Sequence, residues 1–349
     1  MTGTIADSEP PLEVLLARSV GAELPTELES LLPPLVEDLR EVEARIHQVL
    51  AATYPQLTQA ARYACQGGGK RLRPLLMAAG LRALGSDSTR SIHSLAAAFE
   101  LIHTATLVHD DVIDHAELRR GRPSVPRAYG LPTAIVTGDY LFVRAFELAA
   151  EYPRSIILRC GEACADLAEG EVLESSARWD LTTGRAHYFR VVERKTAAIV
   201  AAALASVAEI SGATPEVVDA FSAYGRSLGI AFQLRDDLLD LYGDPDLLGK
   251  PLFSDLREGN PTLVALEAHA NLVGAEKAEF ERLFGLRRKQ PGELLRLKEL
   301  TERAGSPERV GAQALHWSDR AVSALAPVPM GPYRSLLEHL ARAASARRF

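Results

Sequence analysis

Apolar residues recur at intervals of three and four positions along most of the chain. Between positions 35 and 66, for example, the repeating apolar positions are Val36, Leu39, Val42, Ile46 and Leu50. This spacing puts apolar side chains on one face of an α-helix, whereas the strict alternation that indicates β-strands is almost absent. The pattern therefore predicts a succession of amphipathic helices.

Several alanine-rich stretches have wider apolar faces than a surface helix needs. They occupy positions 94–105, 142–150, 156–173 and 196–210. Alanine has the highest helix propensity, and a wide apolar face is expected of a central helix that packs on all sides. Glycine and proline interrupt the helical pattern at 67–69, 121–132, 212–215 and 243–261. We therefore predict an all-α helical bundle rather than an α/β fold.

The beginning of the chain departs from this pattern. Positions 1–34 include Pro10, Pro11 and Pro25 and show little periodicity, so we expect a partly irregular N-terminal arm. The remaining positions, 35–349, are long enough for one large core or two ordinary ones. A single helical domain fits the continuous helical pattern best.

The charge balance and the cysteine content narrow the class of protein. The chain has 39 Lys and Arg against 46 Asp and Glu, a formal net charge of −7, which argues against general nucleic-acid binding. Three cysteines are too few for a disulfide framework, so we expect a reducing, cytoplasmic location. The N-terminus lacks the features of a signal peptide, and no apolar run approaches the ~20 residues that span a bilayer. We expect a soluble protein with no transmembrane segment.

Two copies of the pattern Asp-Asp-x-x-Asp end two otherwise apolar helical stretches. Their residues are Asp110, Asp111 and Asp114 in the first copy and Asp236, Asp237 and Asp240 in the second. The outer aspartates of each copy lie about one helical turn apart on one face, where their oxygens can share a hard cation such as Mg²⁺. Neither cluster has a basic residue four positions away, as an ordinary solvated face would. A bound cation is the economical explanation.

Basic residues accompany these carboxylates. The segment GGGKRLRP places Lys70, Arg71 and Arg73 after three glycines, which allow an anion to approach the backbone closely. Arg119 and Arg120 follow the first aspartate motif in a glycine-containing loop. Guanidinium groups match phosphate oxygens with paired donors, and lysine adds a mobile charge. Carboxylates, Mg²⁺ and surrounding cations together indicate a site for a diphosphate group.

Four sequence blocks occur in a set order along the chain. They are GGGKRLRP, HDDVIDHAELRRGRPS, ERKTA and FQLRDDLLD, the last followed by GKP and SDLREG. In content and order they resemble the trans-isoprenyl diphosphate synthases over roughly residues 35–349. The resemblance implies a single-domain helical bundle of the isoprenoid synthase type with a central active-site cavity. It also implies a homodimer whose interface buries the alanine-rich helices.

The resemblance implies a Mg²⁺-dependent prenyltransferase. Such an enzyme condenses isopentenyl diphosphate head-to-tail with an allylic diphosphate and releases diphosphate. The first motif would bind two Mg²⁺ mainly through Asp110 and Asp114, and the second would bind a third through Asp236, supported by Asp240. Metal ions and cationic side chains would stabilise the departing diphosphate, so that an allylic carbocation forms in a dry apolar tunnel. No enzyme nucleophile is required.

The same resemblance assigns residues to the two substrates. The allylic diphosphate would be held by Arg119, Lys195, Thr196, Gln233 and Lys250. Isopentenyl diphosphate would be held by Lys70, Arg73, His103 and Arg120. Lys195, Thr196 and Gln233 would be the catalytic residues. Family members often carry a lysine where this chain has Asn260, so Lys250 would bear more of that contact.

The residues before the first motif bear on product length. In the family, a bulky aromatic residue four or five positions before the first aspartate stops chain growth early. Here those positions are Thr106 and Ala105, which are small. Phe99, eleven residues before Asp110 and on nearly the same face, would form a deeper floor. We therefore expect a product of the geranylgeranyl length or longer.

Other functions stay open at this point. A class I terpene cyclase shares the helical fold, although it normally has one aspartate-rich motif and lacks GGGKRLRP. A non-catalytic subunit of a heteromeric synthase is a second alternative, although both aspartate motifs are complete here. Glu171 is most simply part of a solvated or interface helix face, with an approach to the site as the alternative. Cys160 and Cys164 are expected to be reduced core thiols.

Overall fold

The computed structural model describes residues 25–66, 71–243 and 252–346. The regular elements among these residues are helices apart from one short hairpin, so the all-α prediction is confirmed. The chain forms two compact units, Met1–Ile157 and Leu158–Phe349, called here the first unit and the second unit. The expectation of one domain over 35–349 stays a prediction. Most of the expected arm lies outside the described residues, and helices occupy its end.

The elements of the first unit follow one another with short connections. They are α1 (Thr26–Glu29), α2 (Leu32–Val49), α3 (Pro55–Cys65), α4 (Leu72–Ala83), a 3₁₀ turn (Arg90–Ile92), α5 (His93–Ile113), β1 (Leu118–Arg119), β2 (Arg122–Pro123), α6 (Val125–Tyr129) and α7 (Leu131–Ala149). Helix α8 (Arg154–Ala177) begins in this unit and continues into the second.

Helix α5 forms the core of the first unit. It packs against α2, α4 and α7, and Leu95, Phe99 and Leu101 have no exposed surface. The segment Arg90–Ile113 is long and apolar enough to cross a membrane by length and composition alone, contrary to the sequence expectation. However, 67% of its apolar window is buried inside the protein, as in the core helix of a globular protein. The packing of α5 against α2, α4 and α7 accounts for this burial.

The hairpin after α5 places two arginines beside the first aspartate motif. Its strands pair antiparallel, with Arg119 opposite Arg122. The two residues between them, Arg120 and Gly121, have φ angles of 54° and 74°. Positive φ at both central positions gives a tight turn whose twist matches that of the strands. The turn therefore holds Arg119 and Arg120 in fixed positions.

The second unit is helical throughout its described part. Its further helices are α9 (Gly184–Val192), α10 (Ala198–Ile210), α11 (Pro215–Tyr242), α12 (Ser254–Glu258), α13 (Leu263–Asn271), α14 (Gly274–Phe284), α15 (Pro291–Arg303), α16 (Ser306–Ala324) and α17 (Pro332–Ala346). A π-helical turn, Glu193–Ala197, joins α9 to α10.

Helix α11 is the central helix of the second unit and carries the second aspartate motif at its end. It packs against α10, α16 and α17. The fully buried Tyr224 on α11 donates a hydrogen bond of 2.8 Å to the carbonyl oxygen of Leu337 on α17. This contact satisfies the polar end of an aromatic side chain in the core. The rigid packing of α11 fixes the direction in which its final turn presents the motif.

Candidate active site

The first aspartate motif closes helix α5. The backbone N–H of Asp114 donates to the carbonyl oxygen of Asp110 at 2.8 Å, so the two residues are one helical turn apart. Both are partly exposed, whereas Asp111 is only 2% exposed. Arg119 donates from Nε and Nη2 to Asp111 Oδ1, at 2.8 and 2.6 Å. The middle aspartate thus anchors the hairpin, and the outer two keep access to solvent.

A buried ion-pair network lies behind the basic segment of the first unit. Arg71 donates from Nη1 to Glu100 Oε1 at 2.8 Å and from Nη2 to the carbonyl oxygen of Cys65 at 2.7 Å, and its Nε pairs with Glu43. Arg71 is 6% exposed and has a φ angle of 45°, a left-handed conformation that non-glycine residues rarely adopt. Three partners therefore hold this residue, and it fixes where α4 begins.

Arg73, Arg120 and His103 lie around the same carboxylate. Glu100 is 2% exposed, and Arg71, Arg73 and Arg120 all lower its pKa against the effect of burial. Burial and the neighbouring positive charges of Arg73 and Arg120 hold the pKa of His103 well below its ordinary value. His103 is therefore a neutral imidazole at pH 7. The structure gathers three of the four residues assigned to isopentenyl diphosphate, and Lys70 lies outside the described residues.

The residues expected to limit product length differ in exposure. Ala105 and Phe99 have no exposed surface, whereas Thr106 is partly exposed. Thr106 Oγ1 donates to the carbonyl oxygen of His103 at 2.8 Å, which keeps its hydroxyl bonded within the helix. Its small side chain therefore presents little polar surface. The assignment of these three residues to the tunnel stays a prediction.

The second aspartate motif has a buried middle residue as well. Asp237 is 3% exposed, and it accepts hydrogen bonds from Tyr188 at 2.6 Å and from Gln233 Nε2 at 2.9 Å. The pKa of Asp237 is raised to about 7 by burial and by the negative charges of Asp236 and Asp240, against the opposing effect of the two hydrogen bonds. Three carboxylates crowd one helical turn and raise the pKa of the middle one, an arrangement that a bound cation would stabilise.

The outer aspartates of the second motif are not equivalent. Asp236 keeps some exposed surface, whereas Asp240 is fully buried. Asp240 Oδ2 accepts from the backbone N–H of Asp255 at 3.1 Å, and its carbonyl oxygen accepts from the backbone N–H of Phe253 at 2.8 Å. Asp240 therefore holds the segment that begins at 252. Lys250 lies outside the described residues.

Three of the five residues assigned to the allylic diphosphate line one cavity of the second unit, whereas Arg119 lies in the first unit. This cavity of about 150 Å³ is lined by Lys195, Thr196, Gln233, Asp237 and Asn260, among others. Lys195 Nζ pairs with Glu171 at 2.6 Å and with Glu174. Thr196 Oγ1 donates to Gln233 Oε1 at 3.0 Å. Gln233 in turn donates to Asp237, which also accepts a hydrogen bond from Tyr188. The structure thus brings Lys195, Thr196 and Gln233 together.

The side chain of Asn260 donates hydrogen bonds to the helix that precedes it, α12. Its Nδ2 donates to Asp255 Oδ1 at 3.3 Å and to Glu258 Oε2 at 3.4 Å. The neighbouring Gly259 has a φ angle of 73°, and a Cβ atom there would lie 2.2 Å from the ring of Trp179. Asn260 therefore stabilises the cavity wall where the family often has a cation.

Some residues of these clusters have no sequence signal of their own. Tyr188 and Glu100 sit in ordinary amphipathic patterns, and only folding brings them to Asp237 and to Arg71. Glu171 and Glu174 both pair with Lys195. They are three residues apart on α8, and this spacing alone predicts that their side chains share a face of the helix. Glu171 thus pairs with Lys195 rather than facing solvent, and its approach to the active site stays a prediction.

The carboxylates suit divalent cations of the Mg²⁺ type. Hard oxygen donors are supplied by Asp110 and Asp114 in one cluster and by Asp236 in the other. Within the described ranges, no three His, Cys, Asp or Glu side chains surround a single point. Mg²⁺ commonly takes one or two carboxylates and completes its shell with water and substrate phosphate. The donor set therefore fits a cation shared with a phosphorylated substrate.

Curated relatives resemble the chain over most of its length. The model of the family described as polyprenyl synthetase matches residues 54–301. Octaprenyl diphosphate synthase of Escherichia coli is 36% identical over 316 residues, which covers 89% of this chain and 96% of the relative. Geranylgeranyl diphosphate synthase of Methanosarcina mazei is 37% identical over 249 residues, covering 68% and 76% respectively.

Solved structures share the fold. A decaprenyl diphosphate synthase from Rhodobacter capsulatus has a TM-score of 0.85 and 37% identity, and the match covers 92% of this chain and 99% of that chain. A polyprenyl synthase from Caulobacter crescentus, complexed with calcium and isoprenyl diphosphate, has a TM-score of 0.86 and 37% identity, with coverage of 92% and 98%. The chain therefore belongs to the polyprenyl synthetase family, the trans-isoprenyl diphosphate synthases.

Proposed function

We propose that this prenyltransferase adds isopentenyl diphosphate to an allylic diphosphate until the product reaches at least the geranylgeranyl length. The observation that carries the proposal is the pair of complete aspartate motifs, each with a cluster of substrate-binding candidates in the same unit. The named relatives support the length, since they include geranylgeranyl, octaprenyl and decaprenyl diphosphate synthases. Small residues at 105 and 106 support it independently.

Asp110, Asp114 and Asp236 would hold Mg²⁺, with Asp240 supporting the second cluster from its buried position. Bound Mg²⁺ would supply positive charge to the diphosphate leaving group, with three ions expected for one active site. The protein's own part is to present carboxylate oxygens at the ends of two rigid helices. The crowding of charge around Asp237 supports this role, because a cation relieves the repulsion.

The allylic diphosphate would be bound by Arg119, Lys195, Thr196, Gln233 and Lys250. Lys195 Nζ is held by Glu171 and Glu174, which fixes the position of its ammonium group beside the cavity. Thr196 and Gln233 are already hydrogen-bonded to one another, which fixes both side chains. Such preorganised donors stabilise charge as it develops on the leaving group. Exclusion of water from the loaded site would protect the allylic carbocation.

Isopentenyl diphosphate would be bound by Arg73, Arg120, His103 and Lys70. The neutral His103 can donate one hydrogen bond to a phosphate oxygen without adding charge. Arg73 and Arg120 supply the charge, and Glu100 holds them near each other. The double bond of this substrate then attacks the carbocation, and the proton lost from the new product is taken up by the released diphosphate.

We also propose that the chain acts as a homodimer in the cytoplasm. Leu131, Ile135 and Val143 lie at four- and eight-residue spacing on α7 and are 51%, 43% and 57% exposed. An apolar stripe of this kind on a helix surface commonly marks a protein interface. The cysteines are free thiols, which supports a reducing compartment. Light scattering on the wild type and on Val143→Arg would test the dimer, with a monomeric variant expected.

One incubation separates this function from its rivals. The purified chain is incubated with Mg²⁺ and farnesyl diphosphate, with and without isopentenyl diphosphate, and the products are measured by mass spectrometry. Longer prenyl diphosphates should form only when isopentenyl diphosphate is present. A product formed without it would indicate a terpene cyclase, and no product in either case would indicate a non-catalytic subunit.

Asp114→Asn and Asp236→Asn provide the test of the metal ligands. Each change should reduce turnover at least ~100-fold, because it weakens electrostatic stabilisation of the leaving group. Excess chelator should abolish the activity of the wild type, and added Mg²⁺ should restore it. The exposed Asp219, which lies in neither motif, serves as the control through Asp219→Asn. Equal activity of all three variants would contradict the assignment.

A further inference from the structure

The turn that carries Lys195 and Thr196 is wound more widely than the helices around it. Glu193–Ala197 is a π-helical turn, in which the backbone N–H of Ala198 donates to the carbonyl oxygen of Glu193. Such turns are rare and are frequently found at functional sites. The turn also takes part in the cavity wall through Lys195 and Thr196. Something must hold this less favourable conformation in place.

Glycines on two other helices approach the turn closely. A Cβ atom added to Gly170 on α8 would lie 2.7 Å from the backbone nitrogen of Lys195. A Cβ atom added to Gly229 on α11 would lie 2.7 Å from Cα of Ala197. Both glycines are buried. The atoms that an added Cβ would approach belong to the backbone, which cannot move aside as a flexible side chain can. Any larger residue must therefore displace the wide turn.

Each glycine adjoins a residue that binds a functional side chain of the turn. Gly170 precedes Glu171, which pairs with Lys195 Nζ at 2.6 Å. Gly229 lies one helical turn before Gln233, which accepts from Thr196 Oγ1 at 3.0 Å. The same two helices thus set both the backbone position of the turn and the directions of its polar side chains.

We propose that Gly170 and Gly229 are positioning residues, which clamp the wide turn so that Lys195 and Thr196 meet the allylic diphosphate. The proposal rests on the proposed function, in which these two side chains bind that substrate. A displacement of the turn by about 1 Å would misplace both side chains, and errors of that size can reduce turnover by ~100-fold. Sites assigned to isopentenyl diphosphate lie on other elements, so their affinity should not change.

The chain provides matched controls for each glycine. Gly225 also lies on α11 and is equally tight, since a Cβ atom there would lie 2.8 Å from Cα of Ala201. It faces the regular helix α10 rather than the wide turn. Gly161 lies on α8 with Gly170, but a Cβ atom there would meet nothing within 4 Å. Comparing the kinetics of the two variants on the same helix distinguishes an effect on the π-helical turn from an effect of packing in general.

The experiment measures kcat and the KM of each substrate for Gly170→Ala, Gly229→Ala, Gly225→Ala, Gly161→Ala and Lys195→Ala, with circular dichroism and melting temperature as controls for folding. Gly170→Ala and Gly229→Ala should raise the KM of the allylic diphosphate and lower kcat, together by ~10- to 100-fold in kcat/KM. The KM of isopentenyl diphosphate should change less than about twofold. Gly225→Ala should lose stability like Gly229→Ala but keep its allylic KM, and Gly161→Ala should match the wild type.

The outcomes distinguish the two claims. If Lys195→Ala raises the allylic KM but Gly170→Ala and Gly229→Ala do not, the clamp is overturned and the proposed function stands. If Lys195→Ala has no effect on that KM, the role of Lys195 fails and the clamp fails with it. Equal kinetic losses in Gly225→Ala and Gly229→Ala would show that the effect comes from packing in general and would overturn the clamp.

Discussion

Tyr188 donates a hydrogen bond of 2.6 Å to Asp237, the buried middle residue of the second aspartate motif. The hydroxyl opposes the rise in the pKa of this carboxyl that burial causes. Because Asp237 also accepts from Gln233, the tyrosine is linked to the residues that line the cavity beside Lys195. The motif is therefore supported from a helix, α9, that contains none of its aspartates.

Tyr188→Phe should weaken both stability and catalysis. Loss of the hydroxyl leaves a buried carboxylate with one partner fewer, which should reduce the free energy of unfolding by ~1–3 kcal/mol. Tyr224→Phe is the control, because Tyr224 is also buried but bonds only the carbonyl oxygen of Leu337 among the contacts described. Urea unfolding should show a loss for both variants, and only Tyr188→Phe should raise the allylic KM. A normal KM in Tyr188→Phe would contradict the link.

Arg71 should contribute to folding rather than to binding. Its guanidinium is enclosed by Glu43, Glu100 and the carbonyl oxygen of Cys65. Arg71→Met would leave the buried Glu100 without its closest partner, at a loss of ~3–5 kcal/mol of stability. Arg40→Met removes an exposed ion pair with Glu37 and should change stability by less than ~1 kcal/mol. Comparable melting temperatures of the two variants would argue against the network.

The aspartate motifs and the helices that carry them could be predicted from the sequence. Spacing alone places Asp110 and Asp114 on one face of α5, and the apolar pattern gives the helix. The wide turn at Lys195 could not be predicted, because it depends on the close approach of Gly170 and Gly229 from distant parts of the chain.

Burial also separates residues that look alike in the sequence. The two motifs have the same pattern, yet Asp114 is partly exposed and Asp240 is fully buried. The difference arises because the start of α12 packs on Asp240, where the backbone N–H of Asp255 donates to its carboxylate. Such contacts between distant positions leave no periodic signal. Pairing of Lys195 with both Glu171 and Glu174 has the same origin.

The thiols should react slowly in the folded protein. Burial raises the pKa of Cys65 and of Cys160 to about 12 and that of Cys164 to about 11. Only the thiolate is alkylated, and at pH 8 a thiol of pKa 12 is ionised in about one molecule in ten thousand. Iodoacetamide labelling followed by mass spectrometry should therefore modify Cys164 first. Rapid labelling of Cys65 at pH 8 would contradict its burial.

The same shifts set a direction for stability at high pH. In the unfolded chain these thiols ionise near pH 9, whereas in the folded protein they keep their protons to higher pH. Above pH 9 the folded state therefore binds more protons than the unfolded state, and the free energy of unfolding falls as pH rises. Cys160→Ala should lessen this fall between pH 9 and 11. An identical pH dependence in the variant would show that Cys160 does not contribute.

Product length should respond to the residues before the first motif. Thr106→Phe and Ala105→Phe should both shorten the product by filling space below Asp110. Ala105 has no exposed surface, so its replacement should also overpack the core at a cost of ~1–3 kcal/mol. Thr106 is partly exposed, and Thr106→Phe should shorten the product with less loss of stability. Thr106→Val, which keeps the size, is the control, and an unchanged product distribution in Thr106→Phe would refute the tunnel.

The central claim is that this chain elongates allylic diphosphates to long trans-prenyl diphosphates. The most direct measurement supplies the purified protein with Mg²⁺, labelled isopentenyl diphosphate and primers of ten, fifteen and twenty carbons, and separates the products by chain length. We expect incorporation of label that requires both Mg²⁺ and a primer, with products of twenty carbons or more. Products that stop at fifteen carbons, or incorporation that does not depend on Mg²⁺, would contradict it.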